Sequence, residues 1–320
     1  MLQQTQVETV IPYYHHFLAR FPTVEALADA PLQDVLKVWE NMGYYGRARQ
    51  LHAAAKAIVN EMGGEIPRTW EELIRLPGVG TYTAGAILSF AFGERVPAVD
   101  GNVRRILCRL FLIQETLDHV QTQRRIFELA ASLVPRKDPG SFNQGLMDFG
   151  SAVCTARNPS CSTCPLQRLC LAFSEGAQAD LPVRKKRRAL PQKAMTAAII
   201  RDRKGRLLIV ERPPTGLLGG LWKFPGGEKR AKETTGKALR RTVKEETGMG
   251  VRVGQPVATV EHAYSHFRMT LQVFRCSRQT ANSRSPISGK VRWVSPHALS
   301  KFPFSRADQK IIEALGIVSG

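Results

Sequence analysis

Along MLQQTQVETVIPYYHHF apolar residues return every three or four positions, at Val7, Val10, Ile11, Tyr14, Leu18 and Phe21. That period is helical, because residues so spaced share one face. Thr5 to Glu8 has the form of a capping box, which starts the first helix just after Thr5 and makes Met1–Gln4 the end of an earlier element. The same period continues to about Leu171. It is interrupted by Gly43, the Gly63–Gly64 pair and Gly93, where helices should stop, and by a second capping box over Thr69–Glu72. Pro31 suits a first helical turn, and nothing in this stretch alternates as a strand does.

The texture changes near Ser174. SEGAQADLPVRKKRRALPQKA carries two prolines, small polar residues and the basic run Arg184–Arg188, the composition of a linker. The run reads equally as a solvated tether or as a strap along a phosphate backbone. Beyond it come AMTAAIIRD and GRLLIVERP as short β-rich runs, a loop rich in Gly and Pro, and a helix-like ETTGKALRRTVKEETG. VRVGQPVATVEHAYSHF, RMTLQVFRC and KVRWVS then read as further strands. The expected organisation is a helical domain over 1–172, a basic linker over 173–193 and an independent α/β domain over 194–316. No internal repeat is present.

A length of 320 residues agrees with two domains, and 43% apolar content argues against wholesale disorder. The formal charge of +19 calls for a polyanionic partner. No uninterrupted apolar run is long enough for a bilayer, and no basic amphipathic helix offers an insertion face, so nucleic acid is expected and membrane is not. Of the six cysteines, Cys154, Cys161, Cys164 and Cys170 crowd into one window, while Cys108 and Cys276 sit in apolar contexts that suit buried, inert thiols. Clustered thiols without a secretory leader indicate a reducing interior and a metal centre.

Three stretches carry chemistry. LPGVGTYTAGAI (76–87) reads as a helix end, a Pro-Gly-Val-Gly hairpin and a new helix capped by Thr81. Gly78 and Gly80 permit positive φ, and the amides of Gly78, Val79 and Gly80 could cradle a phosphate, though such turns are also ordinary punctuation. The cysteine window, C-x6-C-x2-C-x5-C, has a single short knuckle and two longer arms, which suits a cubane iron–sulfur cluster better than a zinc ribbon. Arg157 and Arg168 within it could present positive charge to DNA. In VPAVDGNVRRI (96–106), Asp100 precedes a helix and is either its N-cap or a carboxylate set beside a developing cation.

Taken in this order, hairpin, Gly/Pro-rich loop and aspartate resemble the helix–hairpin–helix base-excision glycosylases. NMGYYGRARQLH, LPGVGTYTAGAI, VDGNVRRI, FNQGLMDFGSAVCT and the four cysteines resemble the adenine DNA glycosylase family in register over residues 1–172. Members of that family carry a Nudix-like reader domain after a basic linker. The resemblance implies an all-α helix–hairpin–helix domain with its iron–sulfur loop at 154–170, followed by an α/β Nudix-like domain. It implies a [4Fe–4S] cluster on Cys154, Cys161, Cys164 and Cys170. It further implies a monomer that acts on double-stranded DNA bearing A:8-oxoguanine or A:G mispairs.

On the same resemblance Asp100 is the anion that faces the sugar cation, Asn102 orients it, and Tyr82 lies near the sugar or packs on the hairpin. Bifunctional relatives such as endonuclease III place a Schiff-base lysine at position 82, so tyrosine implies a monofunctional enzyme. Arg104 sits where some relatives have lysine. Gln144 would line the adenine pocket. Gln4, Thr5, Met42 and Tyr44 match positions that grip or wedge beside the oxidised guanine, and Tyr264, Ser265 and His266 match a Phe-Ser-His motif that reads it. The family's general-acid glutamate would precede Met1, and Glu8, assigned to the capping box, cannot replace it. The expectation is therefore a chain that binds DNA and excises adenine poorly.

The second domain has its own motif. GGEKRAKETTGKALRRTVKEETGM matches a Nudix box through Gly227, Glu233, Arg241, Glu245, Glu246 and Gly248, and breaks at Thr242 where the box wants glutamate. Losing one carboxylate weakens a Mg²⁺ site, so recognition is expected over hydrolysis. The alternatives are a Nudix-type nucleotide pyrophosphatase and a non-catalytic iron–sulfur DNA-binding protein.

Overall fold

Every regular element before residue 184 is helical among the described residues, as the apolar period requires. The computed structural model describes residues 1–183, 189–279 and 290–317, so the basic run Arg184–Arg188 lies outside the described residues. The chain packs as two units, Met1–Val59 together with Ala189–Gly320, and Asn60–Arg188. This division differs from the boundaries expected at 172 and 194, because the first helices pack with the C-terminal portion. No described helix is long and apolar enough to cross a membrane.

In the first unit, α1 (Val7–Arg20), α2 (Val24–Asp29), α3 (Leu32–Val38) and the start of α4 (Gly46–Glu61) close over Val10, Phe17, Phe21, Val35, Leu36, Trp39 and Tyr45. The buried side of α1 is Val10 and Phe17, continued by the C-cap Phe21, whereas Val7, Ile11, Tyr14 and Leu18 are exposed. The capping box over Thr5–Glu8 does not form. Gln6 is the N-cap and gives no side-chain bond, because the Thr5 hydroxyl instead accepts from Arg47 Nη2 at 2.9 Å.

The second unit contains α5 (Trp70–Arg75), α6 (Thr81–Ala91), α7 (Gly101–Leu110), α8 (Val120–Leu133), α9 (Pro139–Ala152) and α10 (Leu171–Ser174). The Thr69 cap forms as expected, its hydroxyl accepting from the Glu72 amide at 3.4 Å. α7 packs on α8 and α9, and α6 on α5 and α9. Val103, Leu107, Cys108, Ile126 and Ala130 are among the residues at the centre.

The C-terminal part of the first unit holds two three-stranded sheets. One has the order β1 (Gln192–Ile200), β5 (Arg268–Arg278), β4 (Val251–Ala263), with β1 and β5 parallel. The other is antiparallel, with β2 (Leu207–Glu211) between β3 (Trp222–Lys223) and β6 (Val291–Val294). Alternation along β1 sends Ala197 and Ile199 into a core with Trp222, Phe224 and Phe304, and Ala198 and Ile200 into a second core under α11 (Thr235–Thr247). α12 (Arg306–Ala314) packs on β4.

Polar contacts tie the N-terminal helices to these strands. Gln33 accepts from Trp222 Nε1 at 2.9 Å and donates to Glu211 and to the Gly220 carbonyl. Glu40 accepts the Phe304 amide at 2.7 Å. These pairs explain why the first 59 residues cluster with the C-terminal portion.

Candidate functional site

Asp100 takes the capping role its sequence context allowed, and one of its carboxylate oxygens has a second, side-chain partner. It is the N-cap of α7, with Oδ1 accepting the Val103 amide at 2.7 Å, and its Oδ2 accepts from Asn102 Nδ2 at 3.0 Å. Asn102 is fixed in turn. Its Oδ1 accepts from Arg105 Nη2 at 2.9 Å, and because arginine only donates, this bond sets which way the amide points. Arg105 is buried, and it also donates to the Gly150 carbonyl at 2.5 Å and to the Cys154 carbonyl at 2.7 Å. A Cβ on Gly150 would stand 2.6 Å from Asn102 Cβ, so only glycine lets α9 approach this closely. About two turns earlier on α9, the buried Asn143 accepts from the Ala98 amide and donates to the Val96 carbonyl, holding the segment that leads into Asp100.

Tyr82 lies in the first turn of α6, with its hydroxyl 3.9 Å from Met147 Sδ. Burial, and then the negative charge of Asp100, push its phenol above the ordinary range, so it is protonated at neutral pH. The hairpin before it turns at Gly78 (φ +79°), where the Val79 amide returns to the Leu76 carbonyl at 3.1 Å. Gly80 is the N-cap with φ −98°, which corrects two expectations: Gly80 does not use the left-handed region, and Thr81 is the first helical residue rather than the cap. An N-cap without a side chain leaves the start of α6 open to an outside acceptor such as a phosphate. Gln144 is exposed and donates to Asp148 at 2.9 Å, its one described polar contact.

Cys154, Cys161, Cys164 and Cys170 are free thiols of intermediate exposure, on a loop shaped by two short 3-10 turns. The Cys161 thiol is raised by burial and then by the other three thiols, which marks the four as one neighbourhood. Among the described residues, no three donors gather around a single ion. Four soft sulfur donors, none in a disulfide and one receiving a guanidinium N–H, fit an iron–sulfur cluster held by thiolates. Arg157 and Arg168 on this loop are exposed. Cys108 and Cys276 are buried as expected, and burial raises each thiol to about 11.

The remaining site residues lie in the other unit. Tyr44 is 50% exposed at φ +48°, with the Arg47 guanidinium 5.4 Å from its ring centre. Arg47 also donates to the Met1 carbonyl at 2.6 Å as well as to Thr5, so it gathers Thr5 and Tyr44 around one cation. Gln4 is exposed, but Met42 does not share that surface, since it is buried in the helical core. Tyr264 is half-buried against the strand core, and burial raises its phenol, whereas Ser265 and His266 are exposed with Oγ and Nδ1 3.1 Å apart.

In the Nudix box, Arg241 grips Glu233 at 2.8 Å and Glu245 at 3.1 Å, and the Glu233 carboxyl is held down to about 2, chiefly by its hydrogen bond from Arg241. Glu246 pairs with the buried Lys223 and accepts the Gly226 amide at 3.0 Å. Thr242 is buried and returns its hydroxyl to the Ala238 carbonyl at 2.9 Å.

Sequence reasoning missed Arg105, Asn143, Arg47 and Lys223. The available signal was spacing, since Arg105 follows Asn102 by three residues and therefore shares its helical face.

Residues 1–134 match the HhH-GPD superfamily of base excision DNA repair proteins, 154–170 the iron-sulfur binding domain of endonuclease III, and 196–314 the NUDIX domain. The chain is 34% identical to the adenine DNA glycosylase of Homo sapiens, over 97% of this chain and 66% of that one. It is also 34% identical to that of Mus musculus, over 97% and 69%. It thus spans about two thirds of the length of these curated relatives. Among solved structures, a thermostable thymine-DNA glycosylase is similar at TM-score 0.51 and 32% identity, covering 54% of this chain and 80% of that chain.

Proposed function

The chain belongs to the adenine DNA glycosylase family, and from that membership we propose that it releases adenine mispaired with 8-oxoguanine or guanine from double-stranded DNA in base excision repair. Adenine cannot be reached within the stack, so its nucleotide must leave the helix at a cost of a few kcal/mol, which a mispair lowers. Breaking the N-glycosidic bond builds positive charge on the sugar. The observation that carries the reading is the Asp100 carboxylate, held by the Val103 amide and by an Asn102 whose own amide Arg105 fixes. A carboxylate so held meets the developing cation without first reorganising. Tyr82 is protonated and has no amine for a Schiff base, so the proposed reaction stops at base release.

The [4Fe–4S] cluster, held by Cys154, Cys161, Cys164 and Cys170, cross-links its loop when bound. Arg157 and Arg168 then offer fixed positive charge to phosphates. Tyr44, exposed and backed by Arg47, is the proposed wedge beside the opposite base, with Gln4 and Thr5 near the same end of the chain. The exposed Ser265 and His266 supply the polar tip that reads the oxidised guanine.

Single-turnover assays on duplexes carrying adenine opposite 8-oxoguanine, guanine or thymine test this. Release should be fastest opposite 8-oxoguanine and absent opposite thymine, with the strand left intact. Equal release from all three, or strand cleavage that follows base loss, would contradict it.

A further inference from the structure

Arg109 on α7 is 2% exposed, so its guanidinium lies inside the helical unit. Nε donates to the Leu181 carbonyl at 3.1 Å. Nη1 donates to the Thr155 carbonyl at 2.8 Å and to Cys154 Sγ at 3.3 Å. The Arg109 carbonyl in turn accepts the Cys170 thiol at 3.5 Å. One residue therefore touches both the first and the last cysteine of the window.

A guanidinium stays charged in any protein interior, and burying it without an opposite charge is costly. Among the described residues, no ion pair includes Arg109; its acceptors are two carbonyls and a sulfur. A cluster bound by four thiolates carries the missing negative charge. We propose that Arg109 is the buried counter-cation of the [4Fe–4S] cluster and that its N–H bond to Cys154 sulfur tunes the cluster's reduction potential. This rests on the cluster assignment for residues 154–170.

Cluster potentials depend on net charge, burial and hydrogen bonds to sulfur. A nearby cation favours the more negative, reduced state, so removing it should make reduction harder. Lysine keeps the charge, but a single ammonium cannot reproduce the fork that reaches Leu181, Thr155 and Cys154 together.

The test compares the full chain with its Arg109→Gln and Arg109→Lys variants, following iron per chain, the midpoint of a one-electron redox titration and far-ultraviolet circular dichroism. R109Q, with unchanged helix content, should shift the midpoint to lower potential, leaving on the order of tenfold less reduced cluster at the wild-type midpoint. R109K should shift it in the same direction by less. A wild-type midpoint in folded R109Q would overturn the proposal. If R109Q does not fold, R109K decides alone, and an unshifted midpoint there overturns the proposal as well. Wild-type chain that takes up no iron would instead remove the cluster assignment beneath it.

Discussion

Two sites in this chain are built on carboxylates, and the cation nearest each acid separates them. Asp100 accepts from two uncharged amides, one of them on the Asn102 side chain that the Arg105 guanidinium orients. Its negative charge remains available to something outside the protein. In the Nudix box Glu233 and Glu245 face Arg241, Glu246 faces Lys223, and the fourth position is a buried threonine. A divalent ion would have to displace internal cations to gather those oxygens. A motif counts acids, but their chemistry depends on neighbours far away in sequence.

The strongest way to break this comparison is Asp100→Asn. We expect single-turnover adenine release to fall on the order of 10³-fold while the mispaired duplex still binds. Next in size is Arg105→Met, which leaves Asn102, Gly150 and Cys154 oxygens without their donor. Buried groups left unpaired cost about 1–3 kcal/mol each, so thermal melting should show a lower transition. Release should fall on the order of a hundredfold as Asn102 loses its direction.

Tyr44→Asn should weaken binding of the mispaired duplex by about tenfold, the scale of one lost aromatic–base stack. Asparagine is the cleaner substitution there, because it tolerates the positive φ of this position. The smallest effect concerns acid. Glu233 is held below its ordinary value of 4.5, down to about 2, so its contribution to stability is complete above pH 4.5 and fades as pH falls toward 2. Arg241→Gln should flatten that part of the pH–stability curve, and a curve unchanged by the substitution would contradict the assignment.

Much of this was legible in the chain. The helical period, the cap at Thr69, the strands either side of α11 and the cysteine window all follow from local patterns. What stayed hidden was set by partners distant in sequence. Thr5 looked like a cap until Arg47 claimed its hydroxyl. Met42 sat beside an exposed tyrosine yet turned into the core. Nothing local to α7 marks Arg105 and Arg109 as buried, because their partners include carbonyls and a sulfur of the distant cysteine loop. Sequence placed Asp100 at a helix start, but the network that aims it needed α9 to arrive at Gly150.

The most direct test runs both sites side by side in the same preparation. One sample receives a duplex with adenine opposite 8-oxoguanine, and the other receives 8-oxo-dGTP with Mg²⁺. Free adenine that vanishes with Asp100→Asn, alongside an untouched nucleotide, is the predicted result. Nucleoside monophosphate released in the presence of Mg²⁺, or adenine release indifferent to Asp100, would contradict it.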